Sequence, residues 1–240
     1  MNRLARMFLL NIFRVPGMYA KLCHYAKHTD KYPEQEKWNH IHRMMEYAIG
    51  AGNLDLVVTG LENLPEQDGF MFYANHQGMF DVVALAATCH RPLGCVLKQE
   101  LQNVPLLKQI TACTKSFPMD RADVRQSLTV INSVIEEVKN GRNYLIFPEG
   151  TRSKQGNTMG EFHGGSFRCA VKAKCPIVPI AFVDSFKVLD QKGSKKLTVQ
   201  MHYLPAIVYE EFAGKTATEV AELVKERIQE KLDECLKDPA

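Results

Sequence analysis

From residue 54 onward, short apolar runs alternate with longer segments in which apolar residues recur every three or four positions. Short apolar runs bounded by turn residues are typical of buried strands, and the longer spacing is typical of helices. The predicted strands are Leu54–Thr59, Phe70–Ala74, Leu93–Leu97, Cys113–Met119, Tyr144–Phe147, Ile177–Val183 and Leu197–Tyr203. The predicted helices are Asp81–Thr88, Val104–Ala112, Val124–Lys139, Gly165–Lys174 and Thr216–Lys237. This alternation predicts an α/β fold with a mainly parallel central sheet flanked by helices, and residues 187–196 are interpreted as an exposed basic hairpin loop.

Residues 1–52 show a different pattern, which predicts two successive amphipathic helices. The first helix has Pro16 and Gly17 in its middle, where they are expected to kink or divide it. Its apolar face consists of Leu4, Phe8, Ile12, Val15, Tyr19, Leu22 and Ala26. The second helix follows a break at residues 30–33, and its apolar side consists of Trp38, Ile41, Met45 and Ile49. The chain is therefore predicted to divide into an amphipathic helical hairpin at 1–52 and an α/β domain at 53–240.

The basic residues are concentrated at the start of the chain. Residues 1–29 contain five basic residues and no acid, whereas the net charge of the whole chain is only +3. A net charge this small gives no indication of a nucleic-acid partner. Basic residues beside an apolar helical face are typical of a helix that lies at an anionic membrane surface. The alternative is that this helix packs on its own domain.

Several features predict attachment to a membrane without a span. The longest uncharged apolar stretch near the start, Met7–Phe13, is far shorter than the roughly 20 residues that a transmembrane helix needs. No small-x-small cleavage site follows it, which argues against a signal peptide. The seven cysteines are scattered and lack C-x-x-C spacing, as expected in a reducing compartment. We therefore expect a peripheral, monotopic protein at the cytoplasmic face of the cell membrane.

A histidine and an aspartate follow the second predicted strand, in the segment NHQGMFD at residues 75–81. This pairing allows His76 to act as a general base while Asp81 fixes its tautomer and stabilises the imidazolium. On one continuous helix the two residues would lie about 140° apart and would not face each other. The pairing therefore requires a non-helical start, which Gly78 permits. The alternative is an ordinary hydrogen-bonded pair without a catalytic role.

A second polar segment, FPEGTRS at residues 147–153, closes another predicted strand. Its proline and glycine place Glu149 and Arg152 in a loop. An arginine beside the backbone N–H groups of Gly150 and Thr151 suits a phosphate or carboxylate ligand, although a simple polar turn is the alternative. Because the carboxyl ends of parallel strands share one edge of a sheet, this loop is expected to lie beside the histidine and the aspartate.

Four motifs, NHQGMFD, SFPMDR, FPEGTRS and IVPI, occur in that order between residues 75 and 180. In order and spacing they resemble the four motifs of the glycerolipid acyltransferases, with the bacterial 1-acylglycerol-3-phosphate acyltransferases as the nearest members. The resemblance covers residues 54–210, which is most of the chain. The second motif departs from the usual pattern, because Pro118 and Met119 stand where a glycine and an aromatic or aliphatic residue precede Asp-Arg.

The resemblance implies a glycerol-3-phosphate acyltransferase-like fold and an enzyme that makes phosphatidic acid. It would transfer a fatty acyl group from acyl-CoA or acyl carrier protein to the sn-2 hydroxyl of 1-acylglycerol 3-phosphate (lysophosphatidic acid), without a cofactor or a metal. The implied catalytic pair is His76 and Asp81. The implied substrate-binding residues are Glu149, Gly150, Thr151, Arg152, Arg121 and Lys98. Glu149 is expected to accept a hydrogen bond from a substrate hydroxyl or to orient Arg152.

Other functions fit parts of the same pattern. The acceptor could be glycerol 3-phosphate or another lysophospholipid, because the motifs contact a phosphate and not the acyl tail. An acyltransferase of the lipid A type shares the His-x4-Asp spacing but lacks FPEGTR. The absence of G-x-S-x-G argues against a serine hydrolase. The chain could also be a non-catalytic membrane-surface module, which a turnover assay would distinguish from an enzyme.

Overall fold

The computed structural model of the chain describes residues 2–191 and 193–237. The strands within these residues are β1 Leu54–Thr59, β2 Met71–Ala74, β3 Leu93–Lys98, β4 Phe117–Met119, β5 Asn143–Ile146, β6 Ile177–Val183 and β7 Leu197–Tyr203. They form one sheet in the order β1-β7-β6-β2-β5-β3-β4. The strands from β6 to β4 in this order are parallel, while β7 is antiparallel to β6 and parallel to β1. The predicted α/β fold with a mainly parallel sheet is therefore confirmed.

Helices cover both faces of the sheet. Their bounds are α1 Arg3–Leu10, α2 Val15–Lys27, α3 Glu34–Ala51, α4 Phe80–Thr88, α5 Leu107–Thr114, α6 Val124–Lys139, α7 Gly164–Ala173, α8 Phe186–Leu189, α9 Tyr209–Phe212 and α10 Ala217–Lys237. On one face α6, α7 and α10 contribute Val134, Phe167 and Ile228 to the core, and on the other α3 and α4 contribute Trp38 and Phe80. Strands β2, β5 and β6 are consequently buried along their whole length, which explains their nearly continuous apolar sequences.

The segment that leads into β4 differs from the prediction. Helix α5 extends to Thr114, so the predicted strand Cys113–Met119 is wrong in its first half and β4 begins only at Phe117. The Thr114 hydroxyl donates to the Ile110 carbonyl at 2.9 Å, a contact made within the helix. Lys115 then ends the helix in a left-handed backbone conformation, with φ +50°. A short apolar run alone does not distinguish a buried helix from a buried strand.

The first predicted N-terminal helix is divided into α1 and α2 by residues 11–14. The division lies before the expected position, because Pro16 occupies the first turn of α2, where its missing N–H group costs nothing. Asn11 follows the end of α1, and its side-chain amide donates to the carbonyls of Met7 and Tyr47 at 3.0 and 3.1 Å. This amide therefore joins α1 to α3 where the chain turns.

The N-terminal helices lie against the rest of the chain. Helices α2, α3 and α5 share a small apolar cluster of Leu22, Tyr25, Ile41 and Cys113. The Trp38 indole N–H of α3 donates to the Cys89 carbonyl at the end of α4, at 2.9 Å. The division of the chain at residue 52 stays a prediction. No helix within residues 2–191 and 193–237 is both long enough and apolar enough to cross a membrane.

Candidate active site

The candidate site residues lie along one edge of the sheet, at the carboxyl ends of four neighbouring parallel strands. His76 follows β2, residues 149–152 follow β5, Lys98 ends β3 and Arg121 follows β4. These strands are adjacent in the order β2-β5-β3-β4. Ligands bind at this edge in open α/β sheets, so the topology gathers these distant segments where a shared site requires them.

His76 and Asp81 form a hydrogen-bonded pair in which His76 Nδ1 lies 2.7 Å from Asp81 Oδ2. Helix α4 begins at Phe80, so His76 lies in the irregular segment before the helix, as the spacing of the pair predicts. An ionised carboxylate only accepts hydrogen bonds, so Nδ1 carries the proton and Nε2 is left as a base. The pair can therefore remove a proton from a hydroxyl group placed at Nε2.

The Asp81 carboxylate is fully buried, and both of its oxygens have donors. Besides the histidine, Oδ2 accepts bonds from the backbone N–H groups of Gln77 and Gly78, at 2.8 and 3.0 Å. Oδ1 accepts a bond from the hydroxyl of Ser185. Hydrogen bonds to a charged acceptor are among the stronger ones, so these donors stabilise the buried charge and fix the direction of the carboxylate. The imidazole is thereby held in one orientation.

The third motif packs directly on the first. The Phe147 ring stacks on the His76 imidazole, with ring centroids 3.9 Å apart and an interplanar angle of 18°. The buried Glu149 carboxylate accepts bonds from the backbone N–H groups of His76 and Gly160, at 2.7 and 2.8 Å. Burial raises the pKa of Glu149, against the opposing effect of these two hydrogen bonds. Glu149 therefore fixes the backbone that carries the base.

The loop after β5 exposes the arginine of the third motif. Gly150 has φ +70°, a conformation that glycine adopts readily and that turns the chain here. Thr151 and Arg152 follow on the surface, and the Arg152 side chain is 48% exposed. Its Nη1 lies 3.2 Å from Oδ1 of Asp190. Asp190 is thus the carboxylate that contacts Arg152, whereas the sequence interpretation considered Glu149 for such a contact.

Arg121 and Lys98 continue the row of cations along the same edge. Arg121 Nη1 lies 3.6 Å from the position that a Cβ on Gly150 would occupy, so the guanidinium reaches the third motif. Lys98 Nζ pairs with Glu100 Oε1 at 2.6 Å, and the hydrogen bond from Lys98 lowers the pKa of Glu100. Arg121 is therefore placed to meet a ligand on the loop after β5, whereas Lys98 is engaged with an exposed acid.

The segment after β6 supplies two residues that sequence reasoning missed. Ser185 donates to the buried aspartate, and Asp190 pairs with the motif arginine. The interpretation of residues 187–196 as only an exposed basic loop is therefore wrong, because helix α8 and the aspartate at its end lie against the site. A signal was present in the sequence, since the polar residues Asp184 and Ser185 follow β6 directly, as Asn75 and His76 follow β2.

The fold and the site together define a class of protein. It is an α/β protein in which the carboxyl edge of a parallel sheet carries a buried aspartate–histidine base beside a row of cations. Such a site suits removal of a proton from the hydroxyl of a molecule that also carries an anionic group.

A family model described as Acyltransferase matches residues 55–183. The chain belongs to this acyltransferase family, and the predicted family is confirmed. The 1-acyl-sn-glycerol-3-phosphate acyltransferase of Saccharomyces cerevisiae is 30% identical over 205 residues, which cover 83% of this chain and 66% of the relative. The enzyme of the same name from Pseudomonas aeruginosa is 38% identical over 125 residues, which cover 52% of this chain and 48% of the relative.

One solved structure resembles nearly the whole chain. The crystal structure of the 1-acyl-sn-glycerophosphate (LPA) acyltransferase PlsC from Thermotoga maritima matches with a TM-score of 0.73 at 20% identity. The match covers 98% of this chain and 99% of that chain, which establishes a shared fold. The chain spans less than two thirds of the length of the two curated relatives above, at 66% and 48%.

Proposed function

We propose that the chain transfers a fatty acyl group from an acyl thioester to the sn-2 hydroxyl of 1-acylglycerol 3-phosphate, giving phosphatidic acid. The observation that carries this proposal is the His76–Asp81 pair, whose 2.7 Å hydrogen bond leaves Nε2 as a base at the sheet edge that also holds Arg152. The names of the relatives, which are 1-acylglycerol-3-phosphate acyltransferases, support the choice of acceptor.

The proposed reaction needs a base and no enzyme nucleophile. His76 Nε2 takes the proton of the acceptor hydroxyl as its oxygen attacks the carbonyl carbon of the thioester. Asp81 stabilises the imidazolium that results. The carbon–sulfur bond then breaks, and the departing sulfur receives the proton from His76. The products are the ester and the free thiol, and the base returns to its starting state.

The acceptor phosphate is proposed to bind the loop after β5. Arg152 supplies a half-exposed guanidinium, and the backbone of Gly150 and Thr151 lies beside it. Arg121 approaches the same glycine, and Lys98 lies at the adjacent strand end. This arrangement leaves the histidine free for the hydroxyl, because the cations and the base occupy different strand ends.

The acyl donor is proposed to be acyl-CoA or acyl carrier protein. A thioester already has a good leaving group, so the difficult part of the reaction is the weak nucleophilicity of the alcohol, which the base addresses. We accordingly propose that the chain acts without a bound cofactor or metal, and that the donor is itself a substrate.

Turnover with separate acceptors tests this proposal. Acyl transfer would be measured in detergent micelles with lysophosphatidic acid, glycerol 3-phosphate and lysophosphatidylcholine, using acyl-CoA and acyl carrier protein as donors. We expect turnover of lysophosphatidic acid, and a rate that falls between about a hundredfold and ten-thousandfold in His76→Ala. His90→Ala, which removes an exposed histidine, serves as the control. Turnover of another acceptor alone would reassign the substrate, and an active His76→Ala protein would remove His76 as the base.

We also propose that α1 binds an anionic membrane surface. The inward side of the helix carries Arg3 and Met7, which are both buried, and the Arg3 guanidinium donates to the carbonyls of Gly52, Val188 and Lys195. The outward side instead exposes large apolar side chains, namely those of Leu4, Phe8, Leu9 and Leu10, and Ile12 and Phe13 in the segment after the helix are exposed as well. A contiguous apolar surface on an outer helix is typical of membrane contact. The side of α1 that carries Arg3 and Met7 packs on the protein, and the exposed apolar side is left for lipid.

The exposed cations of the N-terminal region support an anionic surface as the partner. Arg14, Lys21 and Lys27 are exposed, whereas Arg3 and Arg6 donate to backbone carbonyls of the protein. The seven cysteines are scattered without C-x-x-C spacing, a usage typical of a reducing compartment. We therefore propose a peripheral, monotopic position at the cytoplasmic face of the cell membrane, where anionic lipids attract such cations.

A further inference from the structure

The Asp190 carboxylate lies beside the arginine that is proposed to bind the acceptor phosphate. Asp190 follows helix α8, and its Oδ1 is 3.2 Å from Arg152 Nη1. The two side chains are 35% and 48% exposed, so the pair is partly shielded and still open to solvent. The pair can therefore separate without any change in the core of the protein.

The position of Asp190 is set by contacts between α8 and both motifs. A Cβ built on Gly78 would lie 2.9 Å from Asp190 Oδ2 and 3.2 Å from the Cα of Phe186, the first residue of α8. The Phe186 ring in turn approaches Gly156, lying 3.2 Å from a Cβ built there. Gly78 belongs to the first motif and Gly156 lies in the loop that continues the third. The carboxylate therefore lies against Gly78 of the first motif and beside Arg152 of the third.

A carboxylate in this position opposes the binding of a phosphate. Carboxylate and phosphate oxygens use the same N–H donors of a guanidinium. A phosphate that binds Arg152 either displaces Asp190 or stays close to its negative charge. Both possibilities weaken the binding of the phosphate, because one ends an existing ion pair and the other brings like charges together.

We infer that Asp190 is an internal competitor for Arg152 that weakens the binding of every phosphate-bearing ligand by a common factor. This inference rests on the proposed role of Arg152 as the phosphate ligand. When the pair opens, the cost is the same whichever phosphate monoester enters. The reaction leaves the phosphate of the acceptor unchanged, so Asp190 competes with the product for Arg152 in the same way. The Asp190–Arg152 ion pair forms again as the product leaves, and this favours release of the product.

The variant Asp190→Asn tests this inference, because it keeps the shape of the side chain and removes its charge. We expect the KM for lysophosphatidic acid to fall about two- to fivefold, the size of effect that a partly exposed ion pair produces. The dissociation constant of glycerol 3-phosphate, measured without turnover by a phosphorus NMR titration, should fall by the same factor. In an Arg152→Ala background the effect of Asp190→Asn on both quantities should become clearly smaller, because the ion pair is absent and only the repulsion between like charges remains, as a double-mutant cycle would reveal.

A surface aspartate far from the site provides the matched control. Asp55 on β1 pairs with Lys196 at 3.2 Å, and Asp55→Asn should leave both the KM and the dissociation constant unchanged. A rise of the KM in Asp190→Asn would overturn the inference, because Asp190 would then position Arg152 for the ligand. An unchanged dissociation constant would overturn it as well. Tighter binding of glycerol 3-phosphate without any acyl transfer would support the role of Asp190 and contradict the proposed function.

Discussion

At the scale of single residues, the hydroxyl of Ser185 supports the proposed catalytic pair. The side chain is fully buried and donates to Oδ1 of Asp81, the oxygen that His76 does not contact. Without this donor, one oxygen of a buried carboxylate would lose its partner, which is costly in a protein interior. The aspartate would then be held from one side only, and the imidazole would lose part of its fixed orientation.

We therefore expect Ser185→Ala to lower kcat by between about tenfold and about a hundredfold, because a hydrogen bond to a charged group contributes about 1.5–3 kcal/mol. The KM for the acceptor should stay unchanged, since Ser185 supports the aspartate and not the phosphate loop. Steady-state kinetics with both substrates varied would separate the two constants. Ser166→Ala, which removes a hydroxyl bonded to the His163 carbonyl at 2.7 Å, should leave both constants unchanged. An increased KM at constant kcat would contradict the positioning role.

The His76–Asp81 pair could be predicted from the sequence, whereas the contact between Ser185 and Asp81 could not. His76 and Asp81 could be paired from the sequence because both belong to one short motif with a glycine between them. Ser185 lies 104 residues beyond Asp81, and the contact exists because β6 is the neighbour of β2 in the sheet. Hydrophobic periodicity indicates strands but not their order. The contacts of Asp190 were missed for the same reason.

At the scale of elements, the borders and the length of an apolar run decide which predictions succeed. Strands β1, β6 and β7 have the predicted bounds, because apolar runs bordered by polar or turn residues mark strands clearly. Helix α8 was missed because a four-residue helix is too short to show a 3.6-residue period. Its position depends instead on long-range contacts, such as the bond from Arg3 Nε to the Val188 carbonyl at 3.1 Å.

Arg3 is accordingly expected to matter for stability more than its place near the start of the chain indicates. Its guanidinium joins α1 to the end of α3, to α8 and to the segment before β7, through the carbonyls of Gly52, Val188 and Lys195. Arg3→Ala would leave these carbonyls without their donor. We expect the free energy of unfolding to fall by about 2–3 kcal/mol, which urea denaturation followed by circular dichroism would measure.

Arg6→Ala is the matched control for this prediction. Arg6 lies on the same helix and makes one such bond, from Nε to the Ala51 carbonyl at 3.0 Å. Its loss should cost about 1 kcal/mol, the net value of a typical hydrogen bond. Equal effects of the two substitutions would show that the additional bonds of Arg3 do not contribute.

At the scale of the whole molecule, the exposed basic residues and the exposed apolar side chains occur in the same N-terminal region. The sequence places five basic residues in the first 29 positions, and this concentration suggests that all five meet an anionic surface. In the structure two of them donate to backbone carbonyls, and only Arg14, Lys21 and Lys27 are exposed. The apolar side chains beside them include Phe13, which is 98% exposed. Apolar contact, rather than charge alone, is therefore expected to dominate attachment to a membrane.

Substitution of the exposed apolar side chains tests this expectation. The triple variant Phe8→Ser, Leu9→Ser and Phe13→Ser should bind vesicles of phosphatidylglycerol and phosphatidylcholine at least about tenfold more weakly, since fully burying each such side chain contributes roughly 1.5–3 kcal/mol. Sedimentation with vesicles would measure the bound fraction. Substitution is preferable to truncation because Leu22 and Tyr25 of α2 are buried, and deleting residues 1–29 would expose the apolar cluster that they share with α3 and α5.

Two further variants distinguish the contribution of apolar side chains to membrane binding from that of charged side chains. Leu236→Ser removes a 48% exposed apolar side chain from α10 and should leave vesicle binding unchanged. Lys21→Ala with Lys27→Ala should reduce binding to vesicles that contain phosphatidylglycerol and leave the weaker binding to pure phosphatidylcholine as it was, because only the charged surface attracts the lysines.

Full binding by the triple serine variant would contradict the proposed contact between α1 and the membrane. The apolar side of α1 would then have to be covered by another molecule, and the exposed lysines would be the remaining candidates for attachment.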